Sequence, residues 1–489
     1  MLIQQTLSST TLEDSTTLAE DLTPRQINLA LTENSDDMLI SWITNGVIKK
    51  STVYYYAGAC VDSGSNSLDK LAGDKTIIVS IGTTTTYYPY SGYLHSVRLN
   101  SLTPNTKYCY SVGGEVLRNS SNLQNWSSWR QFQTAPGRDH SVTFVALADC
   151  GTYGNVIPVM ASLAQETDVS LVLHAGDLSY GLNESVWDTF GNLVEPVASQ
   201  FPYMVIPGNW DVKPGAINAY YNRYHMPLAY PSPTTSLRLN EETGLMETKT
   251  NYHLFYTIEY SHAFIIMLSS YDPYDEQSIQ YKWLVQQLEH VQNNRHKFPW
   301  LIVGAHSPMY SSSTGHGGGD VNFRSAIEHL LKEYKVNLVI SGHDHCYERS
   351  YPAYDGKPLN DLPDEYTSDM GTVHLLAGTG GADQDPWLPR PDWTAHRENS
   401  AGYTKVKASP LTLEVTYLRY NGSIGDRFRI TNVDTDGPQG STHLGLIMLV
   451  IFLMVLVFPL CAYSGLPSRI FNSIMVGGGP YVRMGNSIV

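Results

Sequence analysis

From Pro24 onward the chain alternates apolar and polar residues over short stretches, INLALT, MLISWIT, STVYYYAG, TIIVSIG, LHSVRLN, KYCYSVG and WRQFQTA, each bounded by turn-forming residues. Period-two alternation rich in β-branched and aromatic residues describes strands buried on one face, so this series predicts an all-β sandwich. The pattern changes after Ala135-Pro136-Gly137, where wholly apolar runs such as VTFVAL, LVLHAG, YMVIPG, LIVGAH and LVISGH alternate with segments of helical period. In QSIQYKWLVQQLEHVQ the residues Ile279, Trp283, Leu284, Leu288 and Val291 share one helical face, and in VNFRSAIEHLLKEY so do Phe323, Ala326, Ile327, Leu330 and Tyr334. Such stripes are core packing, and strands apolar on both faces between helices predict an α/β unit. GTVHLLAGTGG and SAGYTKVKASPLTLEVTYLRYNGSIGDRFRIT add its closing strands. The ends differ again. Residues 1–22 are Ser/Thr-rich and aperiodic, a disordered lead-in. The uncharged run LGLIMLVIFLMVLVFPLCAY at 444–463 has the roughly 20 apolar residues of a bilayer-crossing helix. The expected organisation is a β-sandwich over 23–137, an α/β domain over 138–437, a transmembrane helix over 444–463 and a short tail over 464–489.

Composition narrows the function classes. At 489 residues there is chain enough for two or three domains with a full-sized core. A formal net charge of −15 without a basic cluster excludes nucleic acid as a partner, because binding a phosphate backbone needs grouped Lys and Arg. Five cysteines are too few for a disulfide scaffold. Cys60 and Cys109 share the β-sandwich and are candidates to pair, whereas Cys150 and Cys346 read as small buried thiols.

The candidate chemistry sits where the apolar runs end. VTFVALADCG brings Asp149 and Gly151, LVLHAGDLSY brings Asp177 and Tyr180, MVIPGNWD brings Asn209, LIVGAH brings His306, and LVISGHDH brings His343 and His345. Open α/β sheets bind ligands outside the carboxyl ends of their strands, so these separated residues can meet. Four oxygen donors and three imidazoles without a thiolate suit iron, zinc or manganese rather than a structural zinc. One carboxylate can bridge two ions and leave three donors for each. Two cations held together are suited to phosphoester hydrolysis.

These motifs, DCG, GDLSY, GNWD, VGAH and GHDH in that order, resemble the purple acid phosphatases of high molecular weight, within the wider metallophosphoesterases. Gly151, where generic metallophosphoesterases carry a histidine, and Tyr180 both point to that branch. ISWIT and LTPNTKYCYSVG resemble the family's fibronectin type III-like domain, so the likeness spans roughly 24–434. The resemblance implies an α/β metallophosphoesterase sandwich, two sheets flanked by helices, behind that amino-terminal β domain. It also implies that Asp149, Tyr180 and His345 hold Fe(III), that Asn209, His306 and His343 hold a divalent Zn, Fe or Mn ion, and that Asp177 bridges them. The activity implied is an acid phosphatase cleaving phosphate monoesters by metal-bound hydroxide, with Asn209 also contacting substrate. A phosphodiesterase or nucleotide pyrophosphatase is the alternative.

Trp210 departs from the pattern, standing where the family has a histidine that assists the leaving group. An indole only donates a hydrogen bond and cannot transfer protons. His316, ten residues after His306 in a Ser/Gly-rich loop and at the offset of another family histidine, is therefore the candidate catalytic and substrate-binding acid. Asp320 is a further candidate acid. A catalytically impaired, membrane-anchored binding ectodomain is the more distant reading of Trp210. Tyr347, Glu348 and Arg349 match the family as supporting residues, and the family admits a homodimer. Sequons at Asn119, Asn125, Asn183 and Asn421 suit a lumenal or extracellular single-pass protein. MLIQQTLSSTTLEDS has no apolar signal-peptide core, so a tail-anchored protein with a cytosolic domain is the alternative.

Overall fold

The alternating runs of the amino-terminal part close into two four-stranded sheets. One has the order Arg25–Leu31, Met38–Thr44, Tyr93–Leu99, Thr83–Thr85; the other runs Ile78–Ile81, Ile48–Ala57, Lys107–Val116, Arg130–Gln133. Every pairing is antiparallel. The computed structural model describes residues 22–60, 76–116, 125–138, 140–227, 234–239, 246–251, 254–361 and 364–433. Trp42, Val53, Val97 and Tyr110 meet in the sandwich core, and Cys60 is bonded to Cys109 with their Cα atoms 5.0 Å apart.

His95 is buried in this sandwich, its Nε2 2.8 Å from Thr44 Oγ1 and its Nδ1 2.9 Å from Ser51 Oγ. Burial pushes its imidazole down to about 4. The unfolded chain then takes up a proton near the usual 6.5 that the folded chain refuses until about pH 4. The stability that comes from a neutral His95 is complete above pH 6.5 and is lost as pH falls from there toward 4, by on the order of 3 kcal/mol in all. Urea unfolding at pH 7.5 and 5.0 checks this: His95→Gln, which keeps polar atoms at the site, should flatten the pH slope.

Beyond Pro136 two seven-stranded sheets face each other. The first runs Tyr203–Ile206, Leu171–Ala175, Val142–Leu147, Gly402–Ala408, Thr412–Arg419, Ile424–Thr431, Glu365–Thr367. The second runs Tyr256–Tyr260, Ala263–Met267, Trp300–Gly304, Leu338–Ser341, Val373–Ala377, Tyr347–Ser350, Thr394–Glu398. Parallel strands occupy the part of each sheet that carries the motifs, Tyr203–Ile206 through Val142–Leu147 in one and Ala263–Met267 through Val373–Ala377 in the other. Their wholly buried pattern follows from being covered twice. Phe144, Leu173, Ile265, Ile302 and Ile340 fill the space between the sheets. Val156–Leu163, Glu184–Ala198 and Ile217–Arg223 cover the outer face of the first sheet, and Ile279–Gln292 and Val321–Glu333 that of the second.

The expected helical stripes are buried at Trp283, Leu284, Leu288 and Val291 and at Phe323, Ile327 and Leu330. Ile279 is 46% exposed because it is the first residue after the Ser278 cap, before the helix turns inward. The β-sandwich is seated on the helix Glu184–Ala198. Tyr110 Oη donates to Ser199 O at 2.7 Å, Arg130 pairs with Glu195, and buried Arg223 joins Glu184 and Asp188, each at 2.8 Å, to Gln26.

One expectation is corrected. Among the described residues no helix is long and apolar enough to cross a membrane. The longest described helix, Glu184–Ala198, has 15 residues and a polar outer face, against the roughly 20 apolar residues a bilayer demands. The fold class of the described residues is therefore the two-sheet sandwich with its β domain and no transmembrane helix, and the single-pass and tail-anchored readings are withdrawn. The run 444–463 and the tail 464–489 lie outside the described residues, as do the lead-in 1–21 and Asn119. Of the other sequons, Asn183 caps the helix Glu184–Ala198, Asn125 Nδ2 donates to Gly114 O at 2.6 Å, and Asn421 lies in the turn between Thr412–Arg419 and Ile424–Thr431.

Candidate metal centre

All seven donors converge where the parallel strands of the two sheets end. Asp149 and Asp177 follow strands Val142–Leu147 and Leu171–Ala175, and Asn209 follows Tyr203–Ile206. From the opposite sheet His306 follows Trp300–Gly304, while His343 and His345 follow Leu338–Ser341. Each strand must turn abruptly to expose its donor. Asp149, Asp177, Tyr180 and His343 accordingly adopt left-handed backbone conformations, with φ of 60°, 54°, 57° and 78°. Such strain in non-glycine residues persists only where the surroundings impose it, and it concentrates at functional sites. Two glycines let the backbones come this close. A Cβ on Gly208 would lie 2.0 Å from Asp177 Oδ1, and one on Gly176, at φ +91°, 2.4 Å from His306 Nδ1.

The donors fall into two groups. Tyr180 Oη lies 3.0 Å from Asp149 Oδ1 and 2.8 Å from His345 Nε2. Asn209 Oδ1 lies 3.2 Å from His306 Nε2 and 3.0 Å from His343 Nδ1. Asp177 stands between, with Oδ1 3.6 Å from His306 Nε2. Ligand atoms of Asp149, Asp177 and His306 all come within 4.8 Å of one another, and all three residues are buried.

This donor set fits cations on its own chemistry. His306 Nδ1 donates to Ala175 O at 2.7 Å and His345 Nδ1 to Asp383 O at 2.9 Å, which fixes the tautomers. The Nε2 lone pair of His306 therefore points at Asn209 Oδ1, an arrangement that is repulsive until a positive ion lies between them, and the single Tyr180 Oη proton can serve only one of Asp149 Oδ1 and His345 Nε2 at a time. Asp149 and Asp177 are buried, yet among the described residues no Lys or Arg pairs with either. Buried carboxylates need pairing or a metal. Without ions, burial and the neighbouring Asp177 raise Asp149 well above the usual carboxylate range, and burial raises Asp177 to about 6. Burial holds His306 down at about 3 and His343 at about 4, the neutral form in which imidazole binds metal.

His316 lies at the rim. Its ring stacks on His343 with centroids 3.5 Å apart, and its Nδ1 is 2.8 Å from Oδ1 of buried Asp344. That hydrogen bond raises its pKa above the ordinary histidine value. Asp320 is not an acid of the site but the N-cap of Val321–Glu333, accepting from Phe323 N at 2.9 Å. His396 also stays outside, 3.5 Å from Glu398 on the strand Thr394–Glu398. Glu348 accepts from Ser312 N and Ser312 Oγ, each at 2.6 Å, and so braces the loop that carries His316. Arg349 is tied to Asp426 and Asp364 farther out. Cys150 and Cys346 are buried free thiols.

Three acidic residues escaped the sequence reading. Asp344 is the third letter of GHDH, and Asp385 Oδ2, in the following loop, accepts from His345 N at 2.8 Å. Asp211, the last letter of GNWD, accepts from Gly208 N at 2.8 Å and from Leu178 N at 3.2 Å, tying the Asn209 loop to the Asp177 loop. A carboxylate at a fixed offset inside a motif was the available signal for two of them. Asp211→Ala is expected to weaken metal retention roughly 10- to 100-fold, as losses behind metal ligands do. Titration with a competing chelator measures it.

The comparisons with known proteins agree on one family. Residues 24–134 match the profile of the purple acid phosphatase N-terminal domain, 142–347 that of calcineurin-like phosphoesterases, and 371–427 that of the iron/zinc purple acid phosphatase-like protein C. The chain is 30% identical over 397 residues to purple acid phosphatase 21 of Arabidopsis thaliana, covering 78% of each protein. It is 28% identical to the Fe(3+)-Zn(2+) purple acid phosphatase 12 of the same plant, covering 78% of this chain and 77% of that one. The solved purple acid phosphatase from yellow lupin (Lupinus luteus) seeds superposes with a TM-score of 0.70 at 22% identity, over 85% of this chain and 75% of the other.

Proposed function

The chain belongs to the purple acid phosphatases, metal-dependent phosphatases built around Fe(III) and a divalent ion, and on that premise we propose a division of labour among its own residues. Asp149, Tyr180 and His345 would hold the ferric ion, Asn209, His306 and His343 would hold the divalent ion, and Asp177 would be shared. The observation that carries this reading is the separation of the donors into two groups, one joined by hydrogen-bond-length contacts through Tyr180 Oη and the other through Asn209 Oδ1, with Asp177 between them. A phenolate is a hard anionic ligand suited to the ferric ion, and neutral imidazoles with an amide oxygen suit the divalent one.

When bound, such a pair supplies Lewis acidity toward the ester oxygens and a water acidic enough to act as nucleophile near neutral pH. The protein supplies position and protons. Trp210 N donates to Asp177 Oδ1 at 2.9 Å and fixes the shared carboxylate. Asn209, which contacts both His306 and His343, would also border a phosphate bound at the centre. With Nδ1 engaged by Asp344, His316 offers its Nε2 proton to the departing alkoxide. Trp210 removes one imidazole from the family pattern but none of the seven donors, which supports an enzyme over a binding-only ectodomain. No chemistry falls to the β-sandwich, which buttresses the helix Glu184–Ala198.

Metal analysis and the visible spectrum of the purified chain, beside Tyr180→Phe, test the division. The wild type is expected to hold iron and a second ion and to show a charge-transfer band that Tyr180→Phe loses. A band that survives in the variant with iron retained takes Tyr180 off the ferric ion.

A further inference from the structure

A half-buried lysine beside this centre has no acidic partner among the described residues. The loop that carries Asn209 continues through Trp210 to Lys213, and the indole lies edge-to-face against Tyr180, ring centroids 5.6 Å apart. Lys213 Nζ sits 3.0 Å from the centroid of the Trp210 ring. Among the described residues Lys213 forms no ion pair, so its ammonium lies beyond ion-pairing distance of both Asp149 and Asp177. The loop is held firmly. Lys213 O accepts from Ala216 N and Ile217 N at the start of the helix Ile217–Arg223. Gly215, at φ +94°, packs so closely that a Cβ there would come 2.7 Å from Leu182 O.

A cation resting on an aromatic face is positioned but weakly bound. Exchanging the indole for a carboxylate or phosphate oxygen replaces that contact by a charge-assisted hydrogen bond, the stronger of the two. The ammonium is beyond ion-pairing distance of the Asp149 and Asp177 carboxylates, so the anion best placed to meet it is one outside the donor set. A second anionic group a few bonds from the phosphate on the same molecule is such an anion. We propose that Lys213, held in readiness by Trp210, is a specificity-determining residue that selects phosphate monoesters whose leaving group carries a second anionic group, a carboxylate or another phosphate. The inference rests on the assignment of the two donor groups as the reaction centre. It also gives Trp210 a use, as the platform from which the ammonium is handed to substrate.

Matched substrates test it on the full, metal-loaded chain. The kcat/KM ratio of 3-phosphoglycerate over glycerol 3-phosphate isolates a carboxylate, and that of fructose 1,6-bisphosphate over fructose 6-phosphate isolates a second phosphate. Lys213→Gln is expected to lower at least one ratio by roughly 10-fold or more, the worth of a hydrogen bond between charged groups. The change should lie in KM more than in kcat, and Lys213→Arg should largely restore it. A fall confined to one pair supports the inference and names the anion. Ratios equal in wild type and Lys213→Gln overturn it, as does an equal loss on all four substrates, which would place the ammonium on the transferred phosphoryl group. A wild type inert toward all four substrates overturns the reaction centre and Lys213 together, whereas an active one with ratios unchanged by Lys213→Gln overturns Lys213 alone.

Discussion

Asp177→Ala is expected to lower kcat on p-nitrophenyl phosphate by roughly a thousandfold or more and to leave the chain with fewer than two ions. The reasoning starts from Asp177's position between the two donor groups, 3.6 Å from His306 on one side and anchored by Trp210 N on the other. Removing a shared carboxylate takes one ligand from each ion at once. It also returns a buried negative charge to neutrality, so the two cations would face each other without the anion that screens them. Lewis-acid assistance is worth several kcal/mol, and at about 1.4 kcal/mol per factor of ten its loss accounts for the expected magnitude. Elemental analysis with single-turnover rates measures both parts, and circular dichroism establishes that the variant is folded. A variant that keeps both ions and a rate within tenfold of wild type would show that Asp177 is not the shared ligand.

His316→Ala is expected to slow hydrolysis of alkyl phosphates by about 10²- to 10⁴-fold, the range for a lost general acid, while p-nitrophenyl phosphate suffers much less. A good leaving group departs without a proton. The pH dependence follows from the hydrogen bond to Asp344, which raises the pKa of His316 above its ordinary value. The acid form does the work, so this contribution is complete below that pKa and declines as pH rises through it. Asp344→Asn withdraws the charge that favours the imidazolium, and the basic limb of the alkyl phosphate profile should move to lower pH. The same limb, unmoved in Asp344→Asn and still present in His316→Ala, would assign it to another group.

How much of this was legible beforehand differs by element. The convergence of the seven candidate donors was readable because each of their motifs begins where an apolar run ends, and a buried strand in an α/β sheet can deliver a polar residue only at its end. The helices Ile279–Gln292 and Val321–Glu333 were readable from their stripes, with Ile279 misjudged because periodicity does not reveal where a cap turns the first residue outward. Asp211 and Asp344 were in plain view but carried no signal of their own. Their work is to hold backbone amides or a neighbouring ring, and an offset of two or one from a ligand does not show which side chain turns inward. The meeting of Trp210 and Lys213 depends on how one loop folds over Gly215, which no periodicity encodes. The run 444–463 suggests a membrane helix from hydrophobic length alone, but it lies outside the described residues, among which no helix is long and apolar enough to cross a membrane.

The two sheets contribute to the centre unequally in time as well as in space. Asp149, Asp177, Tyr180 and Asn209 come from one sheet and His306, His343 and His345 from the other. Every candidate nitrogen donor is therefore encoded after every candidate oxygen donor. A ribosome making this chain releases the hard donors first, and they remain an incomplete, low-affinity set until the imidazoles of the opposite sheet arrive. On the proposed assignment the ferric group is complete only when His345 of the opposite sheet joins Asp149 and Tyr180, so a chain ending before that sheet would lack a ligand for iron.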